Sequence, residues 1–337
     1  MAISLSLVPL SIRRQLTATG DTSTIRTSRR FSDISAELCE KILKPGFQGY
    51  WICRGSVHGP QRPPSKSDIT LVWLHGGAYV TGTALTGVVS LLRIAEIAAQ
   101  NNLSVNVFSL EYSLAPEARF PTQMNEATAA YRYLVEEEKI DPESIMVLGE
   151  SSGGHLALSL AYNLHGRGMP RPGKVVLISP WVNLDNSGST FATNKYKDFL
   201  DKQDLDRCVE WLFGDTDTRL KFGDYVNFAA RLPSKPTPDG HLNWSHVLPP
   251  TWVTIGGNDV FLADVSSFVE NARADRVHVD LQVEAGKPHG WLGYGDAIRA
   301  REYLALSPGD DASSVLKGSE KLAEVVCDHA RRSSKSA

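Results

Sequence analysis

This chain of 337 residues predicts an α/β fold, with a mostly parallel central sheet and helices on both faces. Two observations carry the prediction. Short apolar runs of strand length alternate with segments of helical period, and a serine framed by glycines falls between one such run and the helix after it.

The early part of the chain is mixed. "SDISAELCEKIL" predicts a helix, "QGYWICRG" an early strand, and "GPQRPPSKSD" a turn-rich connector. The alternation then begins. "ITLVWL" is strand-like and "SLLRIAEIAAQNN" helical, followed by the strand "SVNVFSL" and the helix "TQMNEATAAYRYLVEEE". "SIMVLG", entered from "DPE", reads as a buried strand. "GHLALSLAYNLHGRG" sets Leu156, Leu160 and Leu164 on one helical face before a terminal glycine. "KVVLISP" is the next strand.

The rhythm breaks between about Asn183 and Leu248, a stretch rich in aromatics (Phe191, Tyr196, Phe199, Trp211, Phe213, Phe222, Tyr225, Phe228, Trp244) with prolines near its end. It resumes with the strand "TWVTIGG", the helix "DVSSFVENARAD" and the strand "HVDLQVEAG". A last helix, "GSEKLAEVVCDHA", precedes the tail "RRSSKSA", expected to be disordered.

Bulk properties exclude several functions. A net charge of -3 argues against a nucleic-acid partner or an anionic membrane surface. Cys39, Cys53, Cys208 and Cys327 are far apart, without C-x-x-C or zinc-ligand spacing, so they read as reduced structural thiols and no metal is expected. No apolar run approaches the roughly 20 residues of a spanning helix, and "MAISLSLVPL" lacks the basic lead of a secretory signal. Residues 1–30 hold five arginines against one acid, Asp21. An N-terminal helix of the fold is the favoured explanation and a mitochondrial presequence the alternative, so the expected location is cytoplasmic. A second copy of the chain is left open as a partner.

The serine carries the functional argument. G-x-S-x-G has one register here, Gly149-Glu150-Ser151-Ser152-Gly153, because centring it on Ser152 puts Glu150 where the first glycine belongs. A serine on a tight strand-to-helix turn exposes its hydroxyl. It becomes a nucleophile only with a base that a third group holds in place. In open α/β sheets such groups collect at the carboxyl ends of strands. His289 in "EAGKPHGW" and Asp259 in "GGNDV" both follow predicted strands. His155 and His165 on the helix after the serine, and His241 and His246 in the interrupted region, are weaker candidates. Asp264 reads as local structure, and Asp259 doubles as a candidate helix cap. Acyl transfer also needs oxyanion donors, which the loop His75-Gly76-Gly77 can supply. The residue after the nucleophile ordinarily adds its N–H, so Ser152 is expected to contribute main chain.

Together these residues resemble the hormone-sensitive-lipase branch of the α/β-hydrolases. "HGGAYVTG" resembles that family's H-G-G-G/A loop. "EYSLAPEARFP" resembles its Y-R-L-A-P-E segment, with Ser113 where arginine is usual. "GESSGG" resembles its G-D/E-S-A-G-G elbow, and "GGNDVFLAD" and "PHGW" its acid and histidine loops. The resemblance runs from about Ile69 to Trp291. It implies a serine carboxylic-ester hydrolase with Ser151, Asp259 and His289 as triad and the N–H groups of Gly76, Gly77 and Ser152 as oxyanion hole. It implies no cofactor, and an acyl-enzyme route on small to medium apolar esters. It also implies one α/β-hydrolase domain over residues 1–337, capped by segments of about 1–50 and 183–248. Two departures stand out: Ser152 replaces the common alanine, and residues 293–313 look inserted before the last helix, where they bear on the pocket rim.

Two rival readings share the scaffold. One is a biosynthetic enzyme using the same site for cyclisation or acyl transfer. The other is a small-molecule receptor like the plant gibberellin receptor, which keeps the fold and loses the histidine; here the histidine is kept.

Overall fold

The computed structural model describes residues 8–16, 22–32, 37–232, 236–237 and 240–333. Eight strands form one sheet: β1 (Glu40–Lys44), β2 (Phe47–Cys53), β3 (Ile69–Leu74), β4 (Val105–Leu110), β5 (Ile145–Glu150), β6 (Lys174–Ile178), β9 (Thr251–Gly256) and β10 (Val279–Glu284). A separate two-stranded pair, β7 (Pro236–Thr237) and β8 (Gly240–His241), lies between β6 and β9 in the chain. The order across the sheet is β1-β2-β4-β3-β5-β6-β9-β10. β2 is antiparallel to β1 and to β4, and every pairing from β4 to β10 is parallel. A parallel sheet buries both faces, and β3, β4, β5, β6 and β9 are accordingly almost unbroken apolar runs.

Alternate residues of those strands feed two cores. Val72, Phe108, Val147, Leu177 and Val253 join one core with α4 (Thr122–Arg132), α5 (Ser152–Gly166) and α10 (Leu262–Ala274). Ile69, Trp73, Val107, Leu148 and Ile178 face the other, with α3 (Val88–Gln100), α11 (Trp291–Ala305) and α12 (Lys317–Ser333). Leu156, Leu160 and Leu164 are all buried on α5, as the interval of four predicts.

The segment between β6 and β9 carries α6 (Thr190–Thr193), α7 (Lys202–Phe213), α8 (Thr216–Lys221) and α9 (Trp244–Val247). Near the N-terminus, α1 (Leu10–Gln15) and α2 (Thr22–Arg26) are short. Arg13 of α1 is fully buried: its guanidinium donates to the carbonyls of Val80 and Ala115 at 2.8 and 2.7 Å and pairs with Glu117. Three of the five N-terminal arginines are thereby part of the fold, since Arg14 also pairs with Glu111 and the buried Arg30 with Glu96.

Four expectations change. "SDISAELCEKIL" is not a helix: residues 33–36 lie outside the described residues, and Glu40–Lys44 is strand β1. The turn through Gly46, at φ 89°, folds it onto β2, and pairing at the sheet edge overrides a helix-compatible pattern. The same edge means that Glu40–Cys53, at the end of the stretch expected in a cap, belongs to the sheet. The helix "TQMNEATAAYRYLVEEE" ends at Arg132 and continues as one wide turn, closed by the Glu138 N–H on the Tyr133 carbonyl at 3.1 Å. Of the tail "RRSSKSA", Arg331–Ser333 extend α12, and residues 334–337 lie outside the described residues, as do residues 1–7 of "MAISLSLVPL".

Candidate active site

β5 delivers the serine. Ser151 sits at φ 54° and ψ −118°, a backbone conformation that side-chain-bearing residues avoid and that aims the hydroxyl away from both strand and helix. The flanking glycines explain how the turn closes. A Cβ at Gly149 would stand 2.2 Å from the Gly153 carbonyl oxygen, and one at Gly153 would stand 2.0 Å from that of Leu74. Only glycine fits where α5 crosses so close to β5 and β3.

The turns after β9 and β10 bring in the other two groups. His289 Nε2 lies 3.0 Å from Ser151 Oγ, and His289 Nδ1 lies 3.0 Å from Asp259 Oδ2. Asp259 is completely buried and His289 nearly so. A carboxylate can only accept, so Nδ1 carries the proton and Nε2 is left bare toward the serine. Asp259 Oδ1 also accepts the Phe261 N–H at 2.9 Å, which makes it a cap of the turn entering α10 as well. The Phe261 ring stands edge-on to the imidazole, centroids 5.0 Å apart.

The surrounding carboxylates raise the proton affinity of the imidazole. Burial pulls the His289 pKa down, but Asp259, with Asp198 and Glu150 behind it, more than offsets this and holds it above the ordinary value. Glu150, half-buried beside the serine, has its pKa pushed up to about 7 by desolvation, against the opposing pull of His289.

The loop after β3 lies across from the serine. Gly76 and Gly77 line the same cavity as Ser151 and His289. His75 is buried beneath them, its Nδ1–H donating to the Gly76 carbonyl at 2.7 Å, and burial lowers its pKa to about 3, so it stays neutral. Ser152 is fully buried, and its hydroxyl oxygen accepts the Tyr79 N–H at 3.3 Å. That leaves its side chain turned from the cavity.

The remaining candidates fall elsewhere. His155 is buried between the Tyr79 hydroxyl and the Tyr225 carbonyl, each at 2.7 Å, with a pKa lowered to about 4 by burial. His165 stacks with His246 at 6.1 Å, away from the triad. His241 is in β8, and its side chain lies outside the described residues. Asp264 accepts from Asn183 Nδ2 at 3.0 Å as local structure. The aromatics of 183–248 mostly pack on one another: Phe213, Phe222 and Tyr225 surround Phe120, and Phe228 abuts Trp244. Of those nine, Phe199 alone lines the cavity, which holds about 520 Å³.

Two supporting residues were not read from the sequence. Asp198 accepts the N–H groups of His289 and Val260, and Asn194 Nδ2 donates to the Asp259 carbonyl at 2.9 Å. Both lie in the irregular stretch after β6, where no strand end marks them; for Asp198 only its place in an aromatic-rich loop was visible.

Residues 71–293 match the family described as alpha/beta hydrolase fold. The chain belongs to that family. Among curated relatives of this α/β-hydrolase are an acetyl-hydrolase of Streptomyces hygroscopicus, 29% identical over 69% of this chain and 71% of that one, and the hormone-sensitive lipase of Mus musculus, 30% identical over 44% of this chain and 20% of that one. A solved esterase from the bacterial hormone-sensitive lipase family superposes with a TM-score of 0.68 at 25% identity, covering 98% of this chain and 100% of that one. These likenesses support a carboxylesterase-like hydrolase. No helix among the described residues is long and apolar enough to cross a membrane.

Proposed function

We propose that the protein hydrolyses carboxylic esters through an acyl-enzyme on Ser151. The observation that carries this is the continuous run from Ser151 Oγ to His289 to Asp259, with 3.0 Å at each step. Ser151 Oγ attacks the ester carbonyl carbon as His289 Nε2 takes its proton. The developing oxyanion is held by the N–H groups of Gly76, Gly77 and Ser152. The imidazolium, stabilised by Asp259, then gives its proton to the departing alkoxide, and the C–O bond breaks. Water, deprotonated by the same nitrogen, attacks the acyl-enzyme and releases the carboxylic acid, regenerating Ser151.

Under this reading, Leu16 before the sheet and Phe199, Leu200 and Leu205 after β6 act as a cap, since all four line the cavity. The four cysteines are buried free thiols, and burial pushes Cys39, Cys53 and Cys208 up to about 12. Such thiols are unreactive and take no part in the chemistry at Ser151. The test is a fluorophosphonate label on Ser151 together with p-nitrophenyl ester turnover beyond one equivalent. A burst of one equivalent without a steady state would replace hydrolysis by acyl transfer to another acceptor.

A further inference from the structure

The cavity at Ser151 continues well past the reacting atoms. It runs between α3 and α11 to a far wall that includes Ile94, Ala300 and Leu322. Strands β3 and β6 contribute Trp73 and Ile178, both on the sheet face that packs against α3, α11 and α12. The far part of the cavity is thus a chamber inside the second core, not a groove under the segment that follows β6.

Helix α11 makes this chamber. Gly293, Asp296, Ala297 and Ala300 recur at the spacing of one helical face, and all four line the cavity. Their side chains are mostly minimal where a core-facing helix ordinarily presents larger apolar groups. A Cβ at Gly293 would come 3.0 Å from Glu150 Oε1, so glycine keeps the throat between serine and chamber open. The family match ends at residue 293, so Asp296, Ala297, Ala300 and Leu322 all lie beyond it. Gly293, Asp296, Ala297 and Ala300 of its lining belong to the stretch 293–313 that looks inserted after the histidine.

Its chemistry selects the occupant. Ser90 Oγ donates to Asp296 at 3.2 Å, and the same carboxylate takes the N–H groups of Gly318 and Ser319 at 2.9 and 2.8 Å. Trp73 Nε1–H is committed to the Thr86 carbonyl at 2.9 Å. Among the described residues no Lys or Arg lines the cavity, whereas Glu150, Asp201, Asp204 and Asp296 do. Apolar walls, the partnered Asp296 and Trp73, and carboxylates of one sign fit a neutral aliphatic chain and reject an anionic tail.

We propose that this chamber binds an extended, uncharged aliphatic chain of the ester, of medium length or longer; the proposal rests on the ester-hydrolase reading above. Each methylene moved from water into the chamber raises kcat/KM about fourfold until the space is filled. The experiment compares the decyl-to-acetyl preference in two series, p-nitrophenyl acyl esters and alkyl acetates, for the wild type and for Ala297→Phe, Ala300→Phe and Leu322→Ala. The two phenylalanines are expected to lower the long-to-short ratio at least about tenfold in one series, and L322A to move the optimum to longer chains. The series that responds identifies which half of the ester enters. Ile298→Phe, on the same helix but with its native side chain 83% exposed, keeps the wild-type ratio. Decanol binding, read as a rise in Tm, needs no turnover and is expected to be lost in A297F and A300F alone. A decanol shift seen in the wild type and lost in A297F and A300F, in a protein that turns over no ester, would sink the esterase reading and leave the chamber standing. Ester turnover with an unchanged length profile and an unchanged decanol shift in all variants would overturn the chamber.

Discussion

The Asp198 carboxylate accepts the backbone N–H of His289 at 3.3 Å and that of Val260, next to Asp259, at 2.9 Å. One side chain from the stretch between β6 and β9 therefore fixes the two loops that supply base and acid. It also adds negative charge near the imidazole, and is itself raised in pKa by burial.

Asp198→Ala is expected to lower kcat by about 10²-fold, the scale of a misplacement near 1 Å at a reacting group. It should also move the acid limb of the kcat/KM profile to lower pH, because one of the charges stabilising the His289 imidazolium is gone. Steady-state kinetics across pH read both effects. A lower kcat with an unmoved acid limb would reduce Asp198 to a loop anchor.

Glu150 gives a second pH test. His289 must be neutral to take the serine proton, so activity falls as pH drops through its pKa, which lies above the ordinary value near 6.5. Glu150 titrates at about 7 and, when ionised, holds the proton on His289 more tightly. Glu150→Gln removes that charge at every pH. The acid limb should therefore shift downward, leaving the variant more active than the wild type, relative to its own plateau, on the acid side. A limb that stays in place or moves upward would contradict the coupling.

The two adjacent serines separate cleanly. Ser151→Ala should abolish ester turnover, a loss on the order of 10⁶ in kcat for a triad serine. Ser152→Ala should stay within about tenfold in activity if only its N–H meets the oxyanion. Its structural cost is larger, because the Tyr79 N–H loses its acceptor in a buried place, worth about 1–3 kcal/mol. Denaturant titration together with kcat for both variants decides this; equal activity losses would mean that the register was misread.

How much of this was visible in the sequence follows from where the information sits. Ser151, Asp259 and His289 each follow a parallel strand, and strand ends are marked by apolar runs closing on glycine. Ser152 was assigned its main-chain role from spacing, and its hydroxyl is buried. Asp198 and Asn194 sit in an irregular stretch whose course depends on tertiary packing, so no local pattern flags them. Strand β1 was hidden because "EKILK" suits a helix until the sheet edge offers it a partner. The aromatics of 183–248 could not be divided by sequence between cavity and core, since rings also satisfy one another, and of the nine Phe199 alone lines the cavity. The depth of the cavity was out of reach for the same reason: residues 293–313 read as an insertion, and only the fold shows that α11 sets its small face beside α3.

Gly77 tests the oxyanion loop. At φ 113° it occupies backbone space that side chains rarely enter, and a Cβ there would stand 2.3 Å from the Thr81 carbonyl oxygen. The Gly77 carbonyl in turn accepts the N–H groups of Val80 and Thr81, both at 2.9 Å, so the turn is held from within. Gly77→Ala must therefore displace the loop, and with it the N–H assigned to the oxyanion. That donor matters most once charge develops on the substrate oxygen, so the loss should fall on kcat rather than KM. Losing one such donor costs about 10²–10³ in kcat. The variant's Tm separates a displaced donor from general unfolding, and fluorophosphonate labelling checks that Ser151 remains reactive. A raised KM with unchanged kcat would confine this loop to substrate binding and move the oxyanion role to other donors around Ser151.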